Sequence, residues 1–292
     1  MKIFKESELI LNDDGSVYHL HLLPEHISNN IIFVGDPDRV AKISKHFDKI
    51  EFTTQKREFV THTGFIGKKR LTIISTGIGT DNIDIVMNEL DALVNIDLKT
   101  RTEKKEKTSL NIIRIGTSGT LLADVACDSI LYSEYGLGLD GLMNFYKHQN
   151  SALELNILET INAEIPELQI PPRISKCSDS LMNLFYKEGE SVKGITASST
   201  GFYGPQGRIL RAQPVIADFV DKLASINVEG NRITNFEMET SAIYGLSDIL
   251  GHKSLSINTI IANRATKEFS KDPKKAVEDC IAKTLELISS SL

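Results

Sequence analysis

Apolar positions along the chain alternate between short β-branched runs and stretches with a helical period, the signature of an α/β domain. Ile31 to Val34 reads as a buried strand. Gly35-Asp36-Pro37-Asp38-Arg39 follows, where Asp36 caps a helix whose first position is Pro37, the placement proline favours. Val40, Ile43 and Phe47 then share one helical face. Leu71 to Thr76 is a second strand, running into Gly77-Ile78-Gly79. The helix after it carries Ile83, Val86, Met87, Leu90, Leu93 and Val94 at i, i+3, i+4, i+7 spacing.

Further strands are expected over Asn111–Thr117, ending at Ser118-Gly119, and over Ser129–Tyr135, Gly194–Ser199 and Ser256–Ala262. Helices are expected near 214–225, 238–250 and 273–288. The last opens with Asp272-Pro273 and buries Val277, Ile281 and Ile288, and Gly251 terminates the one before it. The run KTRTEKKEKT at 99–108 reads as a solvated loop. Neither a repeat nor a composition break marks a boundary, so residues 1–292 are expected to form a single domain.

Composition narrows the class. The chain has 292 residues, 41% hydrophobic and 25% charged, which suits a globular core. The first residues, MKIFKESELILNDDG, lack the apolar stretch of a signal peptide, and no apolar run approaches the roughly 20 residues of a membrane span. A cytoplasmic protein with no membrane partner is expected. A net charge of -6 disfavours a nucleic-acid footprint, which needs a basic face. Cys127, Cys177 and Cys280 are widely spaced, and His19 and His21 have no carboxylate at ligand spacing, so no metal site is expected.

The glycine-bearing strand ends are where α/β sheets bind ligands, since helix amino termini offer free N–H groups there. Two of them carry Arg39 and Arg114, and Arg57 offers a third cation from Lys56-Arg57-Glu58-Phe59. Gly77-Ile78-Gly79-Thr80-Asp81-Asn82 is an incomplete dinucleotide fingerprint, with Asn82 in place of the third glycine, and no Gly-Lys-Ser/Thr phosphate loop occurs. In Asn235-Phe236-Glu237-Met238-Glu239-Thr240, two carboxylates precede a helix, where glutamates are ordinarily just favourable to the macrodipole. Thr200 to Arg208 holds Phe202, Gln206 and Arg208, which reads either as a surface loop or as a loop that stacks and hydrogen-bonds a base.

Taken in order, GDPDRV (35–40), REF (57–59), STGIG (75–79), RIGTSG (114–119), TASSTGFYGPQGR (196–208), NFEMET (235–240) and IIANR (260–264) closely resemble the uridine phosphorylase branch of the nucleoside phosphorylase family, over roughly residues 17 to 288. The resemblance implies a twisted, mixed central β-sheet flanked by helices. It implies phosphate-dependent cleavage of a nucleoside to free base and ribose 1-phosphate. Phosphate would be held by Gly35, Arg39, Arg114 and Thr117, with Arg57 from a neighbouring subunit. Ribose would meet Glu237, Met238 and Glu239, with His19 from across the interface. Phe202, Gln206, Arg208 and Arg264 would form the base site, and Arg114, Glu239 and Arg208 would carry the catalysis.

Arg264 stands where purine-specific relatives often place an aspartate to protonate N7, and an arginine cannot serve as that acid. Uridine or a close pyrimidine nucleoside is therefore the expected substrate. The alternatives are a purine nucleoside phosphorylase, a hydrolytic nucleosidase and a non-catalytic nucleoside-binding protein on the same scaffold. The resemblance implies inorganic phosphate as co-substrate, no cofactor, and a homo-oligomer, dimer or hexamer, with shared sites. Asn82 replaces a serine that helps hold a monovalent cation between subunits in some relatives, although Glu58 is retained.

Overall fold

A computed structural model describes residues 2–292. The chain enters the sheet at β1 (Asn30–Val34), then forms α1 (Pro37–Ser44), the antiparallel ribbon β2 (Lys49–Lys56), β3 (Phe59–Ile66) and β4 (Lys69–Ser75), and α2 (Thr80–Asn95). A two-residue ladder of β5 (Ile96–Asp97) and β6 (Thr102–Glu103) precedes β7 (Asn111–Thr120) and β8 (Ile130–Gly138). Next come α3 (Ala152–Glu164), β9 (Arg173–Lys176), α4 (Asp179–Phe185), β10 (Val192–Ser198) and α5 (Phe219–Ser225). The chain closes with β11 (Asn227–Val228), β12 (Asn231–Glu237), α6 (Thr240–Leu250), β13 (Lys253–Asn263), β14 (Glu268–Phe269) and α7 (Pro273–Ser291).

The main sheet runs β11-β12-β10-β8-β13-β7-β1-β4-β3-β2 and is mixed. β7 runs parallel to β1 and β13, whereas β13 is antiparallel to β8. The sheet also curls onto itself, because the end of β12 pairs with the end of β7 through Asn235↔Thr120 and Phe236↔Gly119. Strands β7, β13, β8, β10 and β12 thus close a ring, which brings the ends of β7, β13 and β12, the loop after β10 and the starts of α1, α2 and α6 to one mouth. The expected mixed sheet with flanking helices is the observed architecture, with the added closure at one end.

All six expected strands form, each within about three residues of its expected limits. Asp36 caps α1, accepting from the Asp38 N–H at 3.0 Å, with Pro37 at the first position. Phe47 lies past the end of α1 and packs on the core from the following turn rather than from the helix face. The helix expected near 214–225 forms only from Phe219. The β-branched pair Val215 and Ile216 directly after Pro214 keeps the first part irregular. The helix expected at 238 starts at Thr240, since Glu237 still belongs to β12.

The charged run 99–108, expected as a solvated loop, is so only in part. Part of it is structured: Arg101, at φ 56°, donates its Nε to the Phe4 carbonyl at 3.0 Å and Nη2 to the Leu9 carbonyl, fastening the amino-terminal segment. Lys104 donates to the Val94 carbonyl at 2.9 Å, at the negative end of α2. Among the described residues, no helix is long and apolar enough to cross a membrane.

Candidate active site

A cavity of about 750 Å³ opens at the gathered strand ends, within the range that holds a small organic ligand. Gly35 and Arg39 reach it from the β1–α1 junction, Arg114 and Thr117 from β7, and Glu237, Met238 and Glu239 from the β12–α6 junction. Phe202, Gln206 and Arg208 line its other side from the loop after β10.

Arg114 is the buried centre. Its guanidinium donates to the Glu239 carboxylate and to Asn258 Oδ1 at 2.9 Å, and stands 3.3 Å from Glu237 Oε2. Burial works against its charge, but the carboxylates of Glu239 and Glu237 more than offset that and hold its pKa above the usual value. Arg39 is half-buried and donates to the Ile115 carbonyl at 3.2 Å, and it has no carboxylate ion-pair partner among the described residues. Burial, then the charge of Arg114, lowers its pKa. Two cations that face one cavity and repel each other are a site that favours a dianion.

The glutamates divide their work. Glu237 ends β12 and caps α6: it accepts from the N–H groups of Glu239 and Thr240, at 3.0 Å each, and from the Ser198 hydroxyl. Its oxygens are therefore largely committed to backbone. Glu239, at the N-cap, aims into the cavity and accepts from the Gly79 N–H at 2.8 Å. Gly77 and Gly79 both take positive φ, so the turn that resembled a dinucleotide fingerprint here offers its N–H to a carboxylate of the protein itself. Burial raises the Glu239 pKa above the ordinary carboxylate value, and Arg114 works in the opposite direction.

On the base side, Gln206 is buried, and its Oε1 accepts from Arg208 at 2.6 Å. The Arg208 guanidinium lies 3.7 Å from the centre of the Phe202 ring, a cation–π contact. Burial, then the neighbouring charge of Arg264, pushes the Arg208 pKa down to about 10, which leaves it charged at neutral pH.

Three expected site residues lie elsewhere. Arg264 is outside the cavity lining and donates to the Gln206 carbonyl at 2.6 Å, bracing the loop that bears the base-side pair. His19 pairs with Glu89 of α2 at 2.6 Å, and Arg57 is exposed in the β2–β3 turn at φ 56°. Neither touches the cavity of its own chain. The lining also includes Glu58 and Asn82, the pair noted above for an interfacial cation, and Ile78, Ile261 and Phe269, which motif spacing did not single out. Ile261 lies in the apolar run Ile260–Ala262, whose facing only the sheet register reveals.

Residues 30–292 match the model of the phosphorylase superfamily. The chain belongs to this superfamily. A uridine phosphorylase from Thermococcus kodakarensis is 27% identical over 93% of this chain and 86% of its own length. A DeoD-type purine nucleoside phosphorylase from Aliivibrio fischeri is 24% identical over 92% of this chain and 96% of its own. Among solved structures, a Trypanosoma brucei nucleoside phosphorylase described as showing uridine phosphorylase activity superposes with a TM-score of 0.88. It is 28% identical, over 97% of this chain and 100% of that one. A Toxoplasma gondii purine nucleoside phosphorylase shares the fold at a TM-score of 0.65 and 18% identity, over 96% and 98% of the two chains.

Proposed function

We propose that the chain is a uridine phosphorylase, a single-domain pentosyltransferase that converts uridine or a close pyrimidine nucleoside, with inorganic phosphate, to uracil and ribose 1-phosphate. The observation that carries this reading is the convergence on one cavity of Arg39, Arg114, Glu239 and the Gln206–Arg208 pair. A hydrolase using water has no need of two cations at that place.

In this reading Gly35, Arg39, Arg114 and Thr117 hold the phosphate, and loss of one arginine costs about 2–5 kcal/mol of binding. Glu239 and Met238 seat the ribose, and Glu237 fixes the turn that presents them. The C1′–N1 bond breaks with its electron pair leaving on uracil, which takes a proton from solvent. A phosphate oxygen forms the new bond to C1′, and its charge stabilises the oxocarbenium-like transition state. Gln206 and Arg208 aim donors at the departing uracil, whose carbonyl oxygens gain negative charge. Phe202 is the aromatic wall, and Arg264 supports the base site by holding the loop.

Arg57 and His19 complete the site of a second copy, so the active unit is a homo-oligomer, at least a dimer. Their position outside the cavity of their own chain supports this assignment. The reaction needs no cofactor. Asn82 Nδ2 donates to Glu58 Oε1 at 3.2 Å beside the cavity, so an interfacial monovalent cation would meet this pair. The enzyme acts in cytoplasmic pyrimidine salvage.

The test is to follow base release from uridine and from inosine, each with and without phosphate. Uracil release that requires phosphate is the expected result. Release without phosphate would identify a hydrolytic nucleosidase, and inosine cleavage at an equal or greater rate a purine enzyme. Uridine binding with no turnover would leave a non-catalytic nucleoside binder.

A further inference from the structure

Beneath the cavity, Arg114 sits in a cradle that the phosphorylase reading does not use. Gly116 faces Asn258 across the β7–β13 ladder. A Cβ at Gly116 would fall 1.8 Å from Arg114 Nη1 and 2.8 Å from Asn258 Oδ1, so the missing side chain is the space the guanidinium and amide occupy.

Asn258 is fully buried with every polar atom engaged. Its Nδ2 donates to Ser133 Oγ at 3.1 Å and to Ser256 Oγ at 3.3 Å, and its Oδ1 accepts from Arg114 at 2.9 Å. The orientation is forced, because a guanidinium only donates and so must face the amide oxygen. The bonds continue in a closed ring. Ser256 accepts from Thr240 Oγ1 at 2.8 Å, the Thr240 N–H donates to Glu237 Oε2 at 3.0 Å, and that oxygen stands 3.3 Å from Arg114 Nη2. Thr240 directly follows Glu239 in the chain, so the ring ties the phosphate side to the ribose side.

We propose that Asn258 is a positioning residue for the phosphate arginine: its amide oxygen, seated over Gly116, holds one arm of Arg114 away from Glu239 and Glu237 and leaves that guanidinium aimed at the anion. Without it, both arms are free to fold onto the two carboxylates, and phosphate must compete with them. A core amide with no such role would affect folding and all substrates alike.

This inference rests on the phosphorylase reading, and direct titration of inorganic phosphate separates the two. Calorimetric phosphate binding and both KM values would be measured for the native chain, Asn258→Ala and Asn258→Asp. The phosphate Kd and KM are expected to rise about tenfold in Asn258→Ala and further in Asn258→Asp, which adds a third carboxylate beside Arg114, with uridine KM little changed. If the native chain binds no phosphate, the phosphorylase reading falls and this inference with it. If the native chain binds phosphate and both variants bind it equally well, only the inference is overturned. A parallel rise in both KM values would also overturn it. Should these variants not fold, Ser133→Ala removes one contact that orients the amide, and a selective rise in phosphate KM remains the expected result; its absence would count against the inference.

Discussion

Arg114 and Glu239 form a buried ion pair on the cavity floor, although they stand on β7 and at the N-cap of α6, 125 positions apart. Breaking a buried pair leaves the surviving charge uncompensated, which costs about 3–5 kcal/mol. Glu237 remains beside Arg114, so the lower end of that range is expected for Glu239→Ala. Phosphorolysis should be abolished. Added phosphate should stabilise this variant more than the native chain, since it supplies the missing negative charge to Arg114. Denaturant titrations with and without phosphate measure both effects, and equal stabilisation of the two proteins would contradict the pairing.

The same carboxylate sets a pH dependence. Burial raises the Glu239 pKa above the ordinary 4.5, so the folded protein holds that proton more tightly than the unfolded chain does. Its contribution to stability is therefore fully present below the unfolded pKa and is lost as pH rises through the folded one. Catalysis needs the ionised form. The acid limb of kcat/KM for uridine, measured at saturating phosphate, should fall at a pH above the ordinary glutamate value. A profile that stays level down to pH 4.5 would place the titration elsewhere.

Much of this arrangement was legible along the chain because the cavity is built at element ends, where sequence signals are strongest. Asp36-Pro37 marks the helix that places Arg39, and the glycines after β4 mark the turn that meets Glu239. Asn258 was not legible in that way. It sits within the strand segment Ser256–Ala262 beside Ser256 and Thr259, and one polar residue among others in a buried strand reads equally well as a satisfied core amide. Only the register with β7 puts it against Gly116 and Arg114. The β2–β3 ribbon was missed for a related reason. β2 is charged and largely exposed, and β3 carries Thr61, His62, Thr63 and Gly64 along its middle, so both draw stability from strand pairing, β2 with β3 and β3 with β4, rather than from a buried apolar run. Arg101 escaped notice because its neighbours are solvated, whereas its own side chain binds backbone carbonyls of the amino-terminal segment.

Gly116 offers a stringent test of how tightly Arg114 is seated. Substitution by alanine places a methyl group on the guanidinium, at 1.8 Å from Nη1 by ideal geometry. Overpacking of this kind costs about 1–3 kcal/mol. The Arg114 side chain must move to relieve it, so phosphate KM should rise sharply in Gly116→Ala, while the far-ultraviolet circular dichroism stays native. Unchanged phosphate kinetics would mean that the arginine has room the structure denies it.

Arg264 acts on the base through the loop that carries Gln206 and Arg208. It donates to the Gln206 carbonyl at 2.6 Å, and its Nη2 lies 3.4 Å from the Gly207 carbonyl, next to a turn where Gly207 takes φ 66°. Hydrogen bonds from a charged donor contribute about 1.5–3 kcal/mol, so Arg264→Leu should raise uridine KM about tenfold or more. Phosphate KM should stay near its native value, because Arg264 does not reach Arg39 or Arg114. Hydrogen exchange over residues 204–208 should quicken in the same variant. This second readout separates two roles: a residue that only touched the base would change the kinetics and leave the exchange of the unliganded loop as it was.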